Sequence, residues 1–320
     1  MNQSDFLFKD LTENDFENLQ DFFSSADFKA CDFNLVNLIL FSKKNQTKIC
    51  VKDGILYRIQ KSKSENRNGF LFPLLKDYSV QNLKNALDFI LTESKNLKIE
   101  PNLVLIEENQ KNLFEKTISL LKNYKISWQN DEGDSDYIYL QKNLSNLSGK
   151  KLQKKKNHIN QFYKIYSDFV KFTFVQKNDF SEMHSKKILE IYSEWKKNHA
   201  ENFNEDLIFE EIALKSALQN FKNFNLKAQI LEINEKPVAF ALGNNFSSDC
   251  FDVIFEKAIQ NFAQNGAYAV INQKFAENLS EYKFLNREED LNVPSLRKAK
   301  LSYKPEIILK KYYGKIEYLS

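Results

Sequence analysis

The pattern of apolar and polar residues predicts strands and helices throughout the first half of the chain. Residues 47–59 alternate around Asp53-Gly54, and Asp-Gly between two apolar runs is a strong signal for a β-hairpin. Leucines and isoleucines at three- and four-residue spacing predict a helix over 79–96, with Ser79 as its N-cap. The other elements predicted in this half are strands at 70–73, 103–106 and 137–140 and a helix at 109–122.

The second half shows the same mixture of patterns. Apolar runs at 227–233 and 238–244 flank a polar turn, so we expect two neighbouring strands of a β-meander there. Pro294 predicts the start of a short helix, because proline fits the first helical turn. The remaining predicted elements are helices at 150–166, 179–198, 205–222 and 267–279 and strands at 170–175, 250–256, 284–288 and 306–312.

Helices mixed with antiparallel strands in both halves predict an α+β protein. The order strand, helix, hairpin, strand, helix, strand is visible roughly twice, which indicates two related domains. A polar stretch at 143–149 ends in Ser-Gly and marks the boundary between them. We therefore expect domains at 1–145 and 146–320.

The composition is that of an ordinary globular protein. With 42% hydrophobic residues and a net charge of +3, the chain is not a polycation, so any affinity for nucleic acid must come from a local patch. Three widely spaced cysteines without a CxxC pair, and scattered histidines, fit neither a zinc site nor a disulfide framework. The chain shows no leader peptide and no apolar run long enough for a membrane helix, so we expect a cytoplasmic protein.

One long segment is basic and contains no acidic residue. It runs from 137 to 167, and its predicted helix would be amphipathic with lysines on its polar face. The helix has either a merely solvated face or a face that contacts phosphates. Because the chain has 43 Asp and Glu, their absence here favours phosphate contact. The candidate phosphate-binding residues are Lys150, Lys154, Lys155, Lys156 and His158.

A second segment concentrates arginine. Only four arginines occur in a chain with many lysines, and Arg287 and Arg297 lie in one segment beside three consecutive acidic residues. Arginine presents a planar fork of donors that lysine cannot imitate. The segment is therefore either a buried ion-pair network or a site that binds a carboxylate or phosphate, and the residue types leave both interpretations open.

The predicted strand and helix suggest how this segment is arranged. Alternate residues of a strand share a face, so Arg287 and Glu289 are candidates for one pocket. In the helix that Pro294 begins, Arg297 and Lys300 are three residues apart and lie near each other. Tyr303 is expected to stack against this cationic region, to form a hydrogen bond there or simply to pack.

Few other residues indicate catalysis. Glu256 ends a predicted strand, where its carboxylate could orient an amine, accept a proton or form a strand-end ion pair. The chain has no nucleophile elbow, Walker motif or dinucleotide motif, and its seven glycines are dispersed. Glu256 and Glu289 are thus the catalytic candidates.

The arginine segment resembles a known family. The residues 286–291, Asn-Arg-Glu-Glu-Asp-Leu, followed by 296–303, Leu-Arg-Lys-Ala-Lys-Leu-Ser-Tyr, resemble an uncharacterised bacterial family related to the C-terminal domain of phosphatidylglycerol lysyltransferase. The resemblance spans nearly the whole chain. Further stretches that support it are 149–162, 238–243, 255–258 and 266–272.

The resemblance implies two tandem GNAT-like acyltransferase domains, similar to those of the FemABX aminoacyl transferases. It also implies transfer of an aminoacyl group from a charged tRNA, with tRNA phosphates on the basic helix. The residues expected to bind substrate are Asn286, Arg287, Arg297, Lys300 and Tyr303. The N-terminal half lacks a segment like 286–291, so we expect it to be structural and the C-terminal half to carry the active site.

The sequence departs from the full lysyltransferase, since it shows no membrane-spanning portion. We therefore expect a small-molecule or peptide acceptor rather than a lipid. It also lacks the Gly-rich pyrophosphate loop of CoA-dependent GNAT enzymes, which makes acyl-CoA the less favoured donor; no cofactor or metal is expected. The alternatives are a non-catalytic module that binds an anionic ligand and a CoA-dependent N-acyltransferase with an atypical phosphate loop.

Overall fold

The computed structural model describes residues 7–24, 28–62, 67–121, 123–198 and 205–319. The chain divides into two compact units, Met1–Ser135 with Leu309–Ser320, and Asp136–Ile308. Each unit has a seven-stranded sheet and flanking helices. The expected α+β architecture of two domains is confirmed.

The described residues form strands and helices with the following bounds. The strands are β1 Lys9–Asp10, β2 Lys48–Lys52, β3 Ile55–Gln60, β4 Gly69–Phe70, β5 Leu103–Glu107, β6 Tyr124–Asn130, β7 Asp136–Leu140, β8 Val170–Val175, β9 Lys227–Ile233, β10 Lys236–Asn245, β11 Cys250–Ala258, β12 Phe284–Asn286, β13 Ile307–Leu309 and β14 Lys311–Tyr318. The helices are α1 Phe16–Ser24, α2 Leu35–Leu40, α3 Ser42–Asn45, α4 Val80–Leu97, α5 Glu108–Ile118, α6 Gln141–Asn146, α7 Gln153–Tyr166, α8 Glu182–Lys197, α9 Glu205–Gln219, α10 Gln260–Ala263, α11 Ala267–Glu277 and α12 Pro294–Leu301.

The first unit contains the sheet β1-β2-β3-β4-β5-β14-β6. β4 and β5 are parallel, and their neighbours in this sheet run antiparallel to them. The core is rich in phenylalanine, with Phe70, Phe72 and Phe114 fully buried. Phe72 packs its edge against Phe114, at 5.1 Å between ring centroids.

The domain boundary differs from the predicted one in two respects. It falls at residue 135 rather than 145, because β7 pairs with β12 and so belongs to the second sheet. The C-terminal strand β14 lies between β5 and β6 and returns to the first unit. The prediction assigned one continuous segment to each domain, whereas the first unit consists of two segments that are separate in sequence.

The second unit contains the sheet β13-β7-β12-β11-β10-β9-β8. β11 pairs with β10 as far as Ala258, but it pairs with β12 only over Cys250–Asp252. Since β12 ends at Asn286, residues 253–258 of β11 have no neighbouring strand on that side among the described residues. The sheet is therefore split between β11 and β12.

Helices α7 and α11 meet next to this split. Gly266 precedes α11 with φ +101°, and a Cβ atom there would lie 2.6 Å from the carbonyl oxygen of His158 in α7. Glycine thus permits both the left-handed backbone and the close approach of the two helices. None of the described helices combines the length and apolar composition that crossing a bilayer requires.

Most predicted elements are present, with some differences at their ends. Pro294 does begin a helix, α12, as predicted. The predicted strand 284–288 ends at Asn286, and the predicted strand 306–312 is divided into β13 and β14. The helix predicted at 109–122 is α5; Lys122 itself lies outside the described residues.

Candidate functional site

Two charged side chains meet at the split in the second sheet. Glu256 lies near the end of β11, and Arg287 directly follows β12. The Arg287 Nη2 atom donates to Glu256 Oε1 at 2.9 Å, and the two side chains are 13% and 12% exposed. Two adjacent strands that diverge therefore bring a partly accessible ion pair into the gap between them.

A helix residue fixes the second oxygen of the same carboxylate. Asn272 of α11 is buried and donates from Nδ2 to Glu256 Oε2 at 3.1 Å. Its own Oδ1 atom is buried and has no hydrogen-bond partner in the part of the chain that the structure describes. With one donor on each oxygen, the Glu256 carboxylate is held in a defined orientation.

Two tyrosine rings enclose the guanidinium of Arg287. Its Cζ atom lies 4.8 Å from the ring centroid of Tyr303 and 5.6 Å from that of Tyr139. Burial acts against the charge of Arg287, but Glu256 and the tyrosines outweigh it and raise the pKa. The Nη1 atom is buried and donates to no described residue. One donor of the guanidinium thus has no hydrogen-bond partner among the described residues.

A lysine lies on the other side of this arrangement. Lys155 of α7 places its Nζ atom 4.1 Å from the ring centroid of Tyr303. Burial, followed by the nearby charge of Arg287, lowers the pKa of Lys155 to about 8. Lys155 was predicted to contact phosphate on an exposed face, but the structure turns it inward to the site.

The other candidate residues of the basic segment are exposed. No ion pair with a carboxylate of a described residue is found for Lys150, Lys154 or Lys156. On α8, by contrast, Lys186 pairs with Glu182 at 2.8 Å and Lys197 with Glu194 at 3.1 Å. The lysines around the start of α7 are therefore cations without neutralising partners. His158 is also exposed, on the same helix.

The segment after β12 forms a tight loop. Asn286 is fully buried and bridges two groups, since its Nδ2 donates to Asp136 Oδ2 at 2.8 Å and its Oδ1 accepts from the Glu288 backbone N–H at 2.7 Å. Glu288 has φ +57°, a left-handed conformation that ends the strand. Because residues 287–290 are not a strand, the alternation that grouped Arg287 with Glu289 does not apply. Arg287 pairs with Glu256, and Glu289 is half-buried on the loop.

Arg297 and Asp290 clamp this loop. The Arg297 fork donates to Asp290 through Nε at 2.7 Å and Nη2 at 3.1 Å. Tyr137 donates to the same carboxylate at 2.6 Å. Burial would raise the pKa of Asp290, but these hydrogen bonds outweigh it and lower the pKa. Of the two interpretations offered for the arginine segment, the buried ion-pair network is the one that fits Arg297.

Lys300 also holds the loop. It is 7% exposed, and its Nζ atom donates to the backbone carbonyls of Arg287 and, at 3.0 Å, Glu288. Burial and the charge of Arg287 lower the pKa of Lys300. Its own carbonyl accepts from the Tyr139 hydroxyl at 2.8 Å. Lys300 therefore positions Arg287 through the backbone.

The structure divides the predicted site residues into three groups. Glu256, Arg287, Tyr303 and Lys155 come together at the split. Asn286, Arg297 and Lys300 hold the loop that positions Arg287, and Glu289 lies half-buried on the same loop. The remaining lysines and His158 lie on the exposed basic face. Sequence reasoning did not select Asn272 or Tyr139. Tyr139 carried no signal of its own, whereas Asn272 is a lone polar residue on the buried side of α11 and could have been noticed.

Comparison with known proteins gives a family match over most of the chain. Residues 23–314 match the family model described as phosphatidylglycerol lysyltransferase, C-terminal. A protein of unknown function from Bacteroides thetaiotaomicron is 32% identical in its crystal structure, with a TM-score of 0.85 over 97% of this chain and 99% of that one. Nearly all of the chain therefore has one fold in common with that protein.

More distant relatives include a protein domain with an assigned name. The C-terminal domain of an Agrobacterium fabrum protein assigned as a lysylphosphatidylglycerol synthetase is 11% identical, with a TM-score of 0.62 over 94% of this chain and 91% of that one. An uncharacterised protein of Mycoplasmoides gallisepticum is 26% identical over 186 residues, and the match spans 57% of its length. The chain therefore has its fold in common with the lysylphosphatidylglycerol synthetase C-terminal domain.

Proposed function

The chain belongs to the family of the phosphatidylglycerol lysyltransferase C-terminal domain, and from this premise we propose that it is an aminoacyl transferase. The family supports an acyltransferase-type function. The finer proposal is that the donor is an aminoacyl-tRNA and that the acceptor is an amine or hydroxyl group of a small molecule or peptide. The observation that carries it is the Glu256–Arg287 pair at the split between β11 and β12.

The pair suits a reaction whose donor is already activated. In aminoacyl-tRNA, the acceptor nitrogen or oxygen attacks the ester carbonyl, a new C–N or C–O bond forms and the bond to the tRNA ribose oxygen breaks. The Glu256 carboxylate would orient the acceptor and take its proton, which then passes to the ribose oxygen. The free Nη1 donor of Arg287 would stabilise the developing oxyanion.

The exposed lysines of the basic segment would hold the tRNA. Unpaired cations such as Lys154 and Lys156 retain their full attraction for phosphates, because no neighbouring carboxylate competes. Binding should therefore release counterions and weaken steeply as salt increases. Lys155 does not contribute to this face, since it points to Tyr303.

Binding of the purified protein to aminoacylated and deacylated total tRNA, across a salt series, tests the proposal. We expect tighter binding of the charged tRNA and a steep salt dependence. The double variant Lys154→Gln/Lys156→Gln should reduce the salt slope by roughly 0.7–0.9 for each phosphate that is no longer neutralised. The matched control is Lys186→Gln/Lys197→Gln on α8, where both lysines already have carboxylate partners.

Three outcomes would redirect the proposal. Absence of tRNA binding at low salt would remove tRNA as the donor. Thermal stabilisation by acetyl-CoA would indicate a CoA-dependent N-acyltransferase instead. Binding of an anionic ligand without any turnover would indicate a module that keeps the fold but not the reaction.

A further inference from the structure

The first unit has a cleft that the proposed transfer reaction does not use. It lies between α4, the turn of the β2–β3 hairpin and residues 75–77, and its volume is about 680 Å³. Ligand sites for small molecules have volumes of about 300–1,000 Å³. We call it the acidic cleft, and the charged residues in its wall are Lys52, Asp53, Lys76, Asp77, Asp88 and Glu93.

The charge of the acidic cleft is opposite to that of the chain. Four carboxylates and two lysines give its wall a formal charge of −2, whereas the whole chain carries +3. The Asp77 carboxylate is occupied at the start of α4, where it accepts from the Ser79 backbone and from Asn82. The exposed Asp53 and Asp88 lie at the surface of the cleft.

Glu93, in the wall of the acidic cleft, has a carboxylate oxygen without a hydrogen-bond partner among the described residues. It is 6% exposed, and its Oε1 accepts one hydrogen bond from Asn96 Nδ2 at 2.9 Å. Its Oε2 is buried and accepts from no described residue. A buried carboxylate oxygen without a donor is costly, because the group has lost its hydration without compensation. A cation seated in the cleft would supply the missing donor.

Aromatic rings line the same wall. Phe89 and Tyr57 pack with their centroids 4.1 Å apart, and both line the cleft. The chain's own Lys52 already places its ammonium 4.9 Å from the Phe89 centroid. This ring face thus accepts an ammonium group, and ring faces attract cations through the quadrupole of the π-system.

From these observations we propose that the acidic cleft binds a small organic ammonium cation with an aliphatic stem. The ammonium group is bound by Glu93 and the acidic rim, and the stem packs against Phe89 and Tyr57. Lys52 is an internal competitor for the same ring. This site belongs to the first unit alone and is independent of the Glu256–Arg287 pair.

Calorimetric titration with 1,5-diaminopentane tests the site, with 1,5-pentanediol as the uncharged control of equal length. We expect the diamine to bind and the diol to bind at least about tenfold more weakly, since hydrogen bonds between charged groups are the stronger ones. Equal binding of diamine and diol, or no binding of the diamine at ten-millimolar concentration, would overturn the proposal.

Variants locate the binding within the cleft. Glu93→Gln should weaken diamine binding about tenfold or more, and Lys52→Ala should strengthen it by freeing the ring. Phe89→Leu keeps an apolar side chain and should weaken binding by a few-fold, because it removes the cation–π interaction. If Glu93→Gln does not fold, Asp88→Asn at the exposed rim takes its place. The assignment would be contradicted if the diamine bound with unchanged affinity to the folded Glu93 or Asp88 variant and also to Phe89→Leu. Glu194→Gln in the second unit is the control, and it should leave the affinity for the diamine unchanged.

Discussion

Each unit contains one enclosed arginine among aromatic rings, and the two differ in what their forks contact. In the first unit, Arg58 is fully buried and donates to the backbone carbonyls of Asp32 at 3.0 Å and Phe72 at 2.8 Å. In the second unit, Arg287 donates to the Glu256 carboxylate and is partly accessible. Burial lowers the pKa of Arg58 to about 10, whereas Glu256 helps to raise the pKa of Arg287.

The difference separates a structural arginine from one suited to chemistry. Arg58 is not exposed to solvent, and its hydrogen bonds join two backbone segments. Its guanidinium therefore stabilises the first unit. Arg287 lies at the split of its sheet and is paired with a carboxylate. Each arginine has one buried donor without a partner among the described residues, Nε in Arg58 and Nη1 in Arg287. Burial beside aromatic rings is common to both residues. The partner of the fork and the exposed fraction of the side chain, 0% for Arg58 and 13% for Arg287, distinguish them.

The largest effect that separates the two arginines should come from Arg287→Lys. Lysine keeps the charge but lacks the fork that serves both Glu256 and a developing oxyanion. We expect the transfer rate to fall by about 10²–10³-fold, the range for removal of one oxyanion donor. The measurement is the rate at which a labelled amino acid is transferred from aminoacyl-tRNA to acceptors supplied as a protein-free extract. A melting temperature within a few degrees of wild type would exclude unfolding as the cause.

Arg58→Lys should have the converse effect. Lysine cannot serve both carbonyls, and a buried carbonyl without its donor costs about 1–3 kcal/mol. We expect the free energy of unfolding in urea to fall by about 2–3 kcal/mol, with near-normal transfer per folded molecule. The control Lys186→Gln removes an exposed pair and should change stability by less than about 1 kcal/mol. A lower transfer rate per folded molecule in Arg58→Lys would contradict the purely structural role of Arg58.

Arg297→Lys should show a smaller effect through the loop that positions Arg287. Its fork grips the buried carboxylate of Asp290, and lysine would keep only a single hydrogen bond to it. If Arg297 acts only by positioning, kcat falls about tenfold with little change in KM. If it binds the anionic part of a substrate, as the sequence also allowed, KM rises instead. Steady-state kinetics with aminoacyl-tRNA separates the two roles.

The smallest effect concerns Lys155, the second cation beside Arg287. Its pKa is lowered from 10.5 to about 8, so the unfolded chain binds more protons than the folded one between these values. Stability must therefore increase with pH across about 8–10.5 through this residue, and the burial penalty is fully present below about pH 8. In Lys155→Met, the free energy of unfolding in urea should therefore increase less between pH 8 and pH 10.5 than it does in wild type. Parallel pH curves for wild type and Lys155→Met would show that Lys155 is not desolvated.

The sequence predicted the elements of the fold better than their ends. The Asp53-Gly54 turn and the helix at Pro294 depend on local backbone chemistry, and both were found as predicted. The strand after Phe284 was predicted two residues too long, because Glu288 adopts a left-handed backbone that residue type alone does not specify. The return of β14 to the first sheet depends on pairing with β5 and β6, which are remote in sequence.

The sequence proposed some of the residues at the split, but not Asn272 or Tyr139, and not the pairing of Glu256 with Arg287. Arginine scarcity and the family resemblance identified Arg287, and the end of a strand identified Glu256. Their contact spans 31 positions of the chain and depends on where two strands diverge, which no local pattern records. Lys155 was predicted to contact phosphate together with Lys154 and Lys156. Its long side chain instead reaches the Tyr303 ring, as amphipathic lysines can.

The most direct test of the account is aminoacyl transfer by wild type, Arg287→Lys and Arg58→Lys, measured side by side per folded molecule. We predict that wild type and Arg58→Lys transfer the labelled amino acid at similar rates, and that Arg287→Lys is slower by about two orders of magnitude or more. Arg287→Lys activity within a few-fold of wild type would contradict the role of the Glu256–Arg287 pair. Absence of transfer by wild type would contradict aminoacyl-tRNA as the donor.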